Sequence, residues 1–309
     1  MTVAEKLKII QNLSGLTQEK LAKKLGVSFV TFNSWINSRS KPRRGAEENI
    51  NNLYFELTGQ TKIPEDPLKA KKQIIFDGSK KYKNVLKEII KNPDIYDQFL
   101  LSLTYHTNRI EGSTLTEDET RAILFDNVAL PNKDIIEQLE VRNHQAAWQY
   151  LLNHLTGTSS KINEALILKL HSILMNGIKS DAGFYRKHAV RIAGAYVPTA
   201  NYLKLPELMK KVVKDSNRPQ KDTILHAANI HSRFEQIHPF SDGNGRIGRL
   251  IIQAMLLRKN LPPAVIKQEK RRFYNSCLKK SQLKSDFIPL ESLVCDAVLE
   301  GFKILERKI

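Results

Sequence analysis

Apolar residues recur at intervals of three and four along most of the chain, the spacing that lines one face of an α-helix. Near the amino end this pattern predicts three short helices: 4–13, 18–25 capped by Thr17, and a segment from Ser28 closed by Trp35 and Ile36, with Gly26-Val27 between the last two. Beyond them it predicts longer helices over 82–90, 95–109, 117–125, 133–155, 163–175, 205–213, 224–237, 246–257 and 288–305. Thr116-Glu117-Asp118-Glu119 has the form of a capping box opening one of these. A single stretch departs from the helical period: 189–198 alternates Val190, Ile192, Tyr196 and Val197 around Ala193-Gly194, which predicts a small β-hairpin. The expected class is all-α with one small hairpin.

The chain has 309 residues, enough for two domains. Gly59, Pro64, Pro67 and several charges gather where the short helices give way to the long ones, so a domain of residues 1–60, a linker of 61–80 and a domain of 81–309 are expected. A hydrophobic content of 41% supplies a core and excludes disordered or fibrous classes. Lys and Arg number 49 against 32 Asp and Glu, a net charge of +17 that favours polyanions such as nucleic acid or nucleotide. Cys277 and Cys295 make neither a disulfide framework nor a metal-ligand spacing, and the first eleven residues lack the apolar stretch of a signal peptide. A reduced, cytoplasmic location is expected. The most apolar segment, 250–257, is interrupted by Gln253 and falls short of a membrane span, so no membrane partner is expected.

The chemically informative run is His238-Pro239-Phe240-Ser241-Asp242-Gly243-Asn244-Gly245-Arg246-Ile247-Gly248-Arg249, between two helical patterns. Glycines on both sides of Asn244 let successive N–H groups converge on an anion at the positive end of the following helix. Arg246 and Arg249 lie three apart, on one face of that first turn, where guanidinium forks match phosphate oxygens. Asp242 is a hard carboxylate suited to Mg²⁺ bridging phosphates, and His238 titrates near neutrality and suits general-base work. Together they point to nucleotidyl or phosphoryl transfer. A calcium loop starting at Asp242 fails, since Ile247 stands where glycine is needed and Gln253 where glutamate is needed. Glu235 and His238 make a single Glu-x-x-His, where a di-iron bundle needs two; His226 and His231 read as ordinary helix residues.

This run resembles the Fic family signature His-x-Phe-x-(Asp/Glu)-Gly-Asn-Gly-Arg-x-x-Arg at every specified position. The resemblance, extending over about 82–305, implies a Fic-type helical bundle that transfers AMP from ATP, as co-substrate, to a Ser, Thr or Tyr hydroxyl of a protein. It implies His238 as base, Phe240 as the loop's anchor, Asp242 on Mg²⁺, Gly243, Asn244 and Gly245 on the phosphates, Arg246 on the β-phosphate and Arg249 on the γ-phosphate. In the related Doc branch, which transfers phosphate, a lysine replaces the second glycine; here Gly245 favours AMP transfer. Upstream, Thr107-Asn108-Arg109-Ile110-Glu111-Gly112 resembles the family's inhibitory signature (Ser/Thr)-x-x-x-Glu-(Gly/Asn). That implies Glu111 on Arg249, excluding the γ-phosphate, and leaves open the reverse reaction, removal of AMP. The hairpin, with Gly183-Phe184-Tyr185-Arg186 before it, resembles the flap that docks a target strand through Val190, Arg191 and Ile192. Tyr274, Asn275 and Gln282 stand where the family contacts adenine, although two adjacent tyrosines are usual there.

At the amino end, Gly15-Leu16-Thr17-Gln18-Glu19-Lys20-Leu21-Ala22, Leu25-Gly26-Val27-Ser28 and Trp35 resemble an Xre-like helix-turn-helix. That resemblance adds DNA as a partner of residues 1–60, read by Ser28, Thr31, Asn33 and Ser34 with Arg39, Lys41, Arg43 and Arg44 on phosphates, and a homodimer. Phe29 and Phe32 stand where polar readers are usual; Phe29 suits a thymine methyl or a protein partner. The alternative function is a DNA-binding transcription regulator whose second domain only senses nucleotide.

Overall fold

A computed structural model describes residues 1–60, 64–157, 160–191 and 197–307. Its α-helices are α1 (Val3–Ser14), α2 (Gln18–Lys24), α3 (Phe29–Ile36), α4 (Arg44–Thr58), α5 (Pro67–Ser79), α6 (Val85–Lys91), α7 (Pro93–Glu111), α8 (Glu117–Phe125), α9 (Ile135–Thr156), α10 (Glu164–Leu174), α11 (Leu205–Ser216), α12 (Thr223–Ile237), α13 (Asn244–Leu257), α14 (Arg271–Lys284) and α15 (Ile288–Leu305). No β-strand occurs among the described residues, which bears out the all-α class. The predicted hairpin falls largely on 192–196, including Ile192, outside the described residues. Its flanks are close together, since Thr199 Oγ1 donates to the Val190 carbonyl at 2.8 Å.

Local signals account for most helix ends. Thr17 caps α2, Ser28 caps α3, and the Thr116/Glu119 capping box opens α8 as expected. Asn92 caps α7 with Pro93 in its first turn, and Gly112, at φ 118°, ends it directly after Glu111 in a conformation that suits glycine.

The segments that differ from the sequence-based expectation include α5 and α3. Residues 67–79, expected within a linker, form α5, which packs Ala70, Ile74 and Ile75 against the bundle. Its start signal, Asp66 as cap followed by Pro67, is present but masked by the linker-like composition. There Lys71 pairs with Asp296 at 2.6 Å, and Lys72 pairs with Asp222 and the buried Glu291. In α3, Phe32 is fully buried as part of the core, whereas Phe29 and Val30 are exposed.

The bundle is organised around α13, of which every residue except Gly245 is buried. It packs against α12, α7, α9 and α10. A helix buried on all sides is normally apolar throughout, yet α13 carries Asn244, Arg246, Arg249 and Gln253. Gln253 is satisfied by both backbone groups of Ala264. The two arginines require partners of opposite charge or a ligand, because an unpaired buried charge is costly. Among the described residues, no helix is long and apolar enough to cross a membrane.

Candidate active site

The loop 238–243 joins α12 to α13 and is held by three devices. Phe240 is fully buried and stacks on His171, with ring centroids 3.7 Å apart. Asn244 accepts from the Phe240 N–H and donates to its carbonyl, both at 2.9 Å, so its side chain fixes the loop. Buried Arg186 donates to the carbonyls of His238 (2.7 Å), Ile237 (3.3 Å), His188 (2.7 Å) and Ala200 (2.6 Å).

His238 closes α12 in the left-handed region, φ 51°, a conformation uncommon for a side-chain-bearing residue and one that surrounding bonds must hold. Its Nδ1 lies 3.2 Å from the Glu235 carbonyl, which can only accept, so Nδ1 carries the hydrogen and Nε2 keeps its lone pair. Burial lowers the His238 pKa below its ordinary value, keeping the ring neutral near pH 7. His171 has the opposite tautomer: its Nδ1 accepts from the Gly183 N–H and its Nε2 donates to the Asp242 carbonyl.

Gly243 sits at φ 74°, and a Cβ there would meet the Met175 sulfur at 2.9 Å, so the turn into α13 requires glycine. Asp242 Oδ1 accepts from the Gly243 N–H at 2.6 Å, while Oδ2 lies 3.5 Å from Lys179 Nζ on a side chain about half exposed. Above Gly245, a Cβ would collide with the Glu111 carboxylate, which therefore occupies the space over the amino end of α13. Glu111 Oε1 accepts from Arg249 Nη2 at 2.5 Å. Arg249 also donates from Nε to Thr107 Oγ1 at 2.7 Å, so both ends of the 107–112 motif meet the same guanidinium. Burial alone would lower the Arg249 pKa, but Glu111 beside it keeps it above its ordinary value.

The structure thus brings together His238, Asp242, Gly243, Asn244, Gly245, Arg246, Arg249 and Glu111. Arg246 has a partner that sequence reasoning missed, Glu140 of α9, at 2.6 Å. The two are far apart in sequence, and no local pattern links them. His231, read as an ordinary helix residue, is fully buried, and its Nε2 lies 2.7 Å from the Tyr274 hydroxyl. Tyr274, expected at the adenine, is itself buried, with its hydroxyl 3.4 Å from Arg249 Nη1; it supports the arginine. Asn275 is exposed, and Gln282 donates to the Ser232 carbonyl. Val190 is half-buried and Arg191 exposed. Among the described residues, no group of three or more His, Cys, Asp or Glu forms a metal site.

Under this site, Glu235 is buried with Oε1 unpartnered among the described residues, and burial pushes its carboxyl up to about 8. An unfolded glutamate titrates near about 4.3. Because the folded value is the higher one, the stability it contributes is complete below the unfolded pKa and is lost as pH rises to about 8. Glu235→Gln is therefore expected to match wild type near pH 4 and to exceed it at pH 8 by about 2–4 kcal/mol, read by thermal melts across that range. Parallel stability curves for the two proteins would show that Glu235 is ionised in the fold.

Residues 161–256, which contain α10 to α12, all of α13 but its last residue, and the 238–249 run, match the family model described as Fic/DOC family. The chain is 35% identical over 185 residues to the protein adenylyltransferase Fic of Nematostella vectensis, covering 57% of this chain and 42% of that protein. It is 34% identical over 183 residues to the protein adenylyltransferase fic-1 of Caenorhabditis briggsae, covering 58% of this chain and 36% of that one. The chain thus spans less than half the length of these curated relatives. In fold it is similar to a Fic-domain-containing signalling protein of Bacteroides thetaiotaomicron, with a TM-score of 0.67 at 22% identity over 76% of this chain and 96% of the other. It is likewise similar to Fic-1 of C. elegans, with a TM-score of 0.67 at 23% identity over 93% of this chain and 84% of that one.

Proposed function

We propose that the chain is a Fic-type protein adenylyltransferase held in an inhibited state by Glu111, transferring AMP from ATP to a hydroxyl of a protein substrate. The observation that carries this reading is the Glu111 carboxylate lying over Gly245 and bonded to Arg249, because a carboxylate occupies the place where the helix dipole and the arginine would otherwise hold a phosphate. In the active state the phosphates of ATP lie along the N–H groups of Gly243, Asn244 and Gly245, with Arg246 on the β-phosphate and Arg249 on the γ-phosphate. His238 Nε2 removes the proton of the target hydroxyl, whose oxygen bonds to the α-phosphorus as the bond to the β-phosphate oxygen breaks and pyrophosphate leaves. Asp242 would hold Mg²⁺, since it offers an accessible Oδ2 beside the cradle and Mg²⁺ completes its shell with phosphate and water; when bound, the ion neutralises phosphate charge. The reverse reaction, in which Glu111 aligns water to remove AMP, uses the same groups.

A second role, DNA binding through residues 1–60 with the chain as a homodimer, is supported by the short capped helices α2 and α3 and by the exposed Lys20, Lys23, Lys24, Arg39 and Arg43. The polar groups of the expected readers are engaged within this region: Ser28 caps α3 and bonds Thr31, and Asn33 accepts from Asn37 and donates to Gln18. On this reading phosphate contacts and the exposed Phe29 and Val30 carry more of the interface, and the alternative of a nucleotide-sensing regulator rests on the same region. The cytoplasm suits the two cysteines, both free and buried.

The transferase reading is tested with ATP labelled at the α- or the γ-phosphate, on wild type and on Glu111→Gly. Label entering protein from the α position alone is expected. Transfer of γ-label would replace AMP transfer with kinase chemistry, and absence of both, with a competent target present, would favour the nucleotide-sensing regulator.

A further inference from the structure

The four carbonyls that Arg186 gathers belong to three separate stretches, so one guanidinium holds the backbone at His188, at Ala200 and at the catalytic loop within a few ångströms of each other. Residues 184–191 and 200–204 therefore run next to the backbone that Arg186 ties to His238. Two of them are apolar and strongly exposed, Phe184 at 67% and Leu203 at 73%. Three are cationic and exposed, Lys187, Arg191 and Lys204, and none has an ion pair among the described residues. The nearby acids form their closest contacts elsewhere, although Glu207 also feels the charge of Lys204 without an ion pair between them. Asp181 accepts from Ser241 Oγ at 2.5 Å, Glu207 pairs with Lys211 at 2.6 Å, and Asp242 faces Lys179 within the site. Three exposed cations without ion pairs, beside two exposed apolar side chains, are not required by the chemistry at His238, which needs only a hydroxyl and a nucleotide.

We propose that this rim docks an acidic protein segment, with an apolar residue seated on Phe184 or Leu203 next to the hydroxyl that receives AMP. The proposal rests on the transferase reading and adds the chemical class of its target. Charge complementarity at an exposed rim acts mainly through encounter and specificity and weakens with salt. Each exposed pair contributes little, so the three cations together produce a preference of about tenfold.

The test uses the full chain and three fluorescein-labelled peptides, each with one Thr and one Leu, whose other residues are Glu, Gln or Lys. Anisotropy reads docking without chemistry, and α-phosphate label reads transfer by Glu111→Gly. The Glu peptide is expected to bind about tenfold more tightly than the Gln peptide at low salt and to lose that advantage at high salt. The triple variant Lys187→Glu, Arg191→Glu, Lys204→Glu is expected to bind the Lys peptide about tenfold more tightly than wild type does, a gain that misfolding cannot produce. Equal binding of the Glu and Gln peptides, or no gain in the triple variant, overturns the proposal. So does displacement of the Glu peptide by a single-stranded DNA of equal net charge at lower concentration, which assigns the rim to nucleic acid. Preferential binding of the Glu peptide, with neither label nor pyrophosphate released by any variant, would leave the rim standing and remove the transferase reading.

Discussion

Glu111→Gly is expected to raise AMP transfer, including self-modification, by about 10- to 150-fold over wild type, with a lower KM for ATP. The magnitude follows from the bond removed: a hydrogen bond to a charged group contributes about 1.5–3 kcal/mol, and each 1.4 kcal/mol is a factor of about ten. In wild type that bond runs from Arg249 Nη2 to Glu111 Oε1 at 2.5 Å, and on the proposed function ATP must break it before Arg249 can take a phosphate. The substitution also clears the space above Gly245, so the carboxylate no longer repels an incoming polyphosphate from the amino end of α13. Glycine at this position costs the helix little, because Glu111 is its last residue and Gly112 already caps it. Arg249 keeps Thr107 and Tyr274 as partners but loses its carboxylate, so the apo variant melts at a lower temperature and recovers more on adding ATP. Initial rates of α-label incorporation decide the matter, and an unchanged rate would make Glu111 a structural ligand of Arg249 only.

His238→Ala is expected to lower AMP transfer by about 10²- to 10⁴-fold in the Glu111→Gly background, with ATP affinity staying within about threefold. The ring is turned by its Nδ1 hydrogen bond to the Glu235 carbonyl, leaving Nε2 as the only acceptor, and its left-handed backbone is held by Arg186 on the His238 carbonyl. Among the described residues no group of the 243–249 run hydrogen-bonds to the imidazole, so nucleotide binding is expected to survive its loss. Burial lowers the His238 pKa, and the base is active when neutral, so kcat/KM rises with pH through a pKa below the ordinary histidine value and is level by pH 7. Transfer persisting in His238→Ala, or an acidic limb unchanged by it, would assign proton removal to another group.

Legibility differs by element. The patterns over 117–125 and 288–305 have the ends observed for α8 and α15, because a capping box and a Pro in the first turn act within a few residues. By contrast, α5 and α14 lie outside the helices that the pattern predicts. Their buried residues are few and sit among lysines: Ala70, Ile74 and Ile75 in α5, and Tyr274, Cys277, Leu278 and Ser281 in α14. Each apolar face is therefore visible only against the bundle it meets. The stretch expected as a linker, 61–80, contains α5 for that reason.

The cradle is legible because everything in it is contiguous: a left-handed Gly243 and two arginines one turn apart are local properties of a few residues, although the helix begins at Asn244, two residues before the pattern's start at 246. Glu111 is legible as a motif. Its contact with Arg249 spans 138 positions and exists only because α7 and α13 cross. The partners of the buried charges come from packing. Glu140 on Arg246, Tyr274 and His231 beside Arg249, and Arg186 across three stretches of backbone follow from burial, since a charge removed from water takes whatever compensating group the packing brings near. Which residues can do the chemistry, and where the local turns lie, is written in short runs of the chain. Which carboxylate meets which arginine is set by the fold, because it depends on helices packed side by side and not on spacing along the chain.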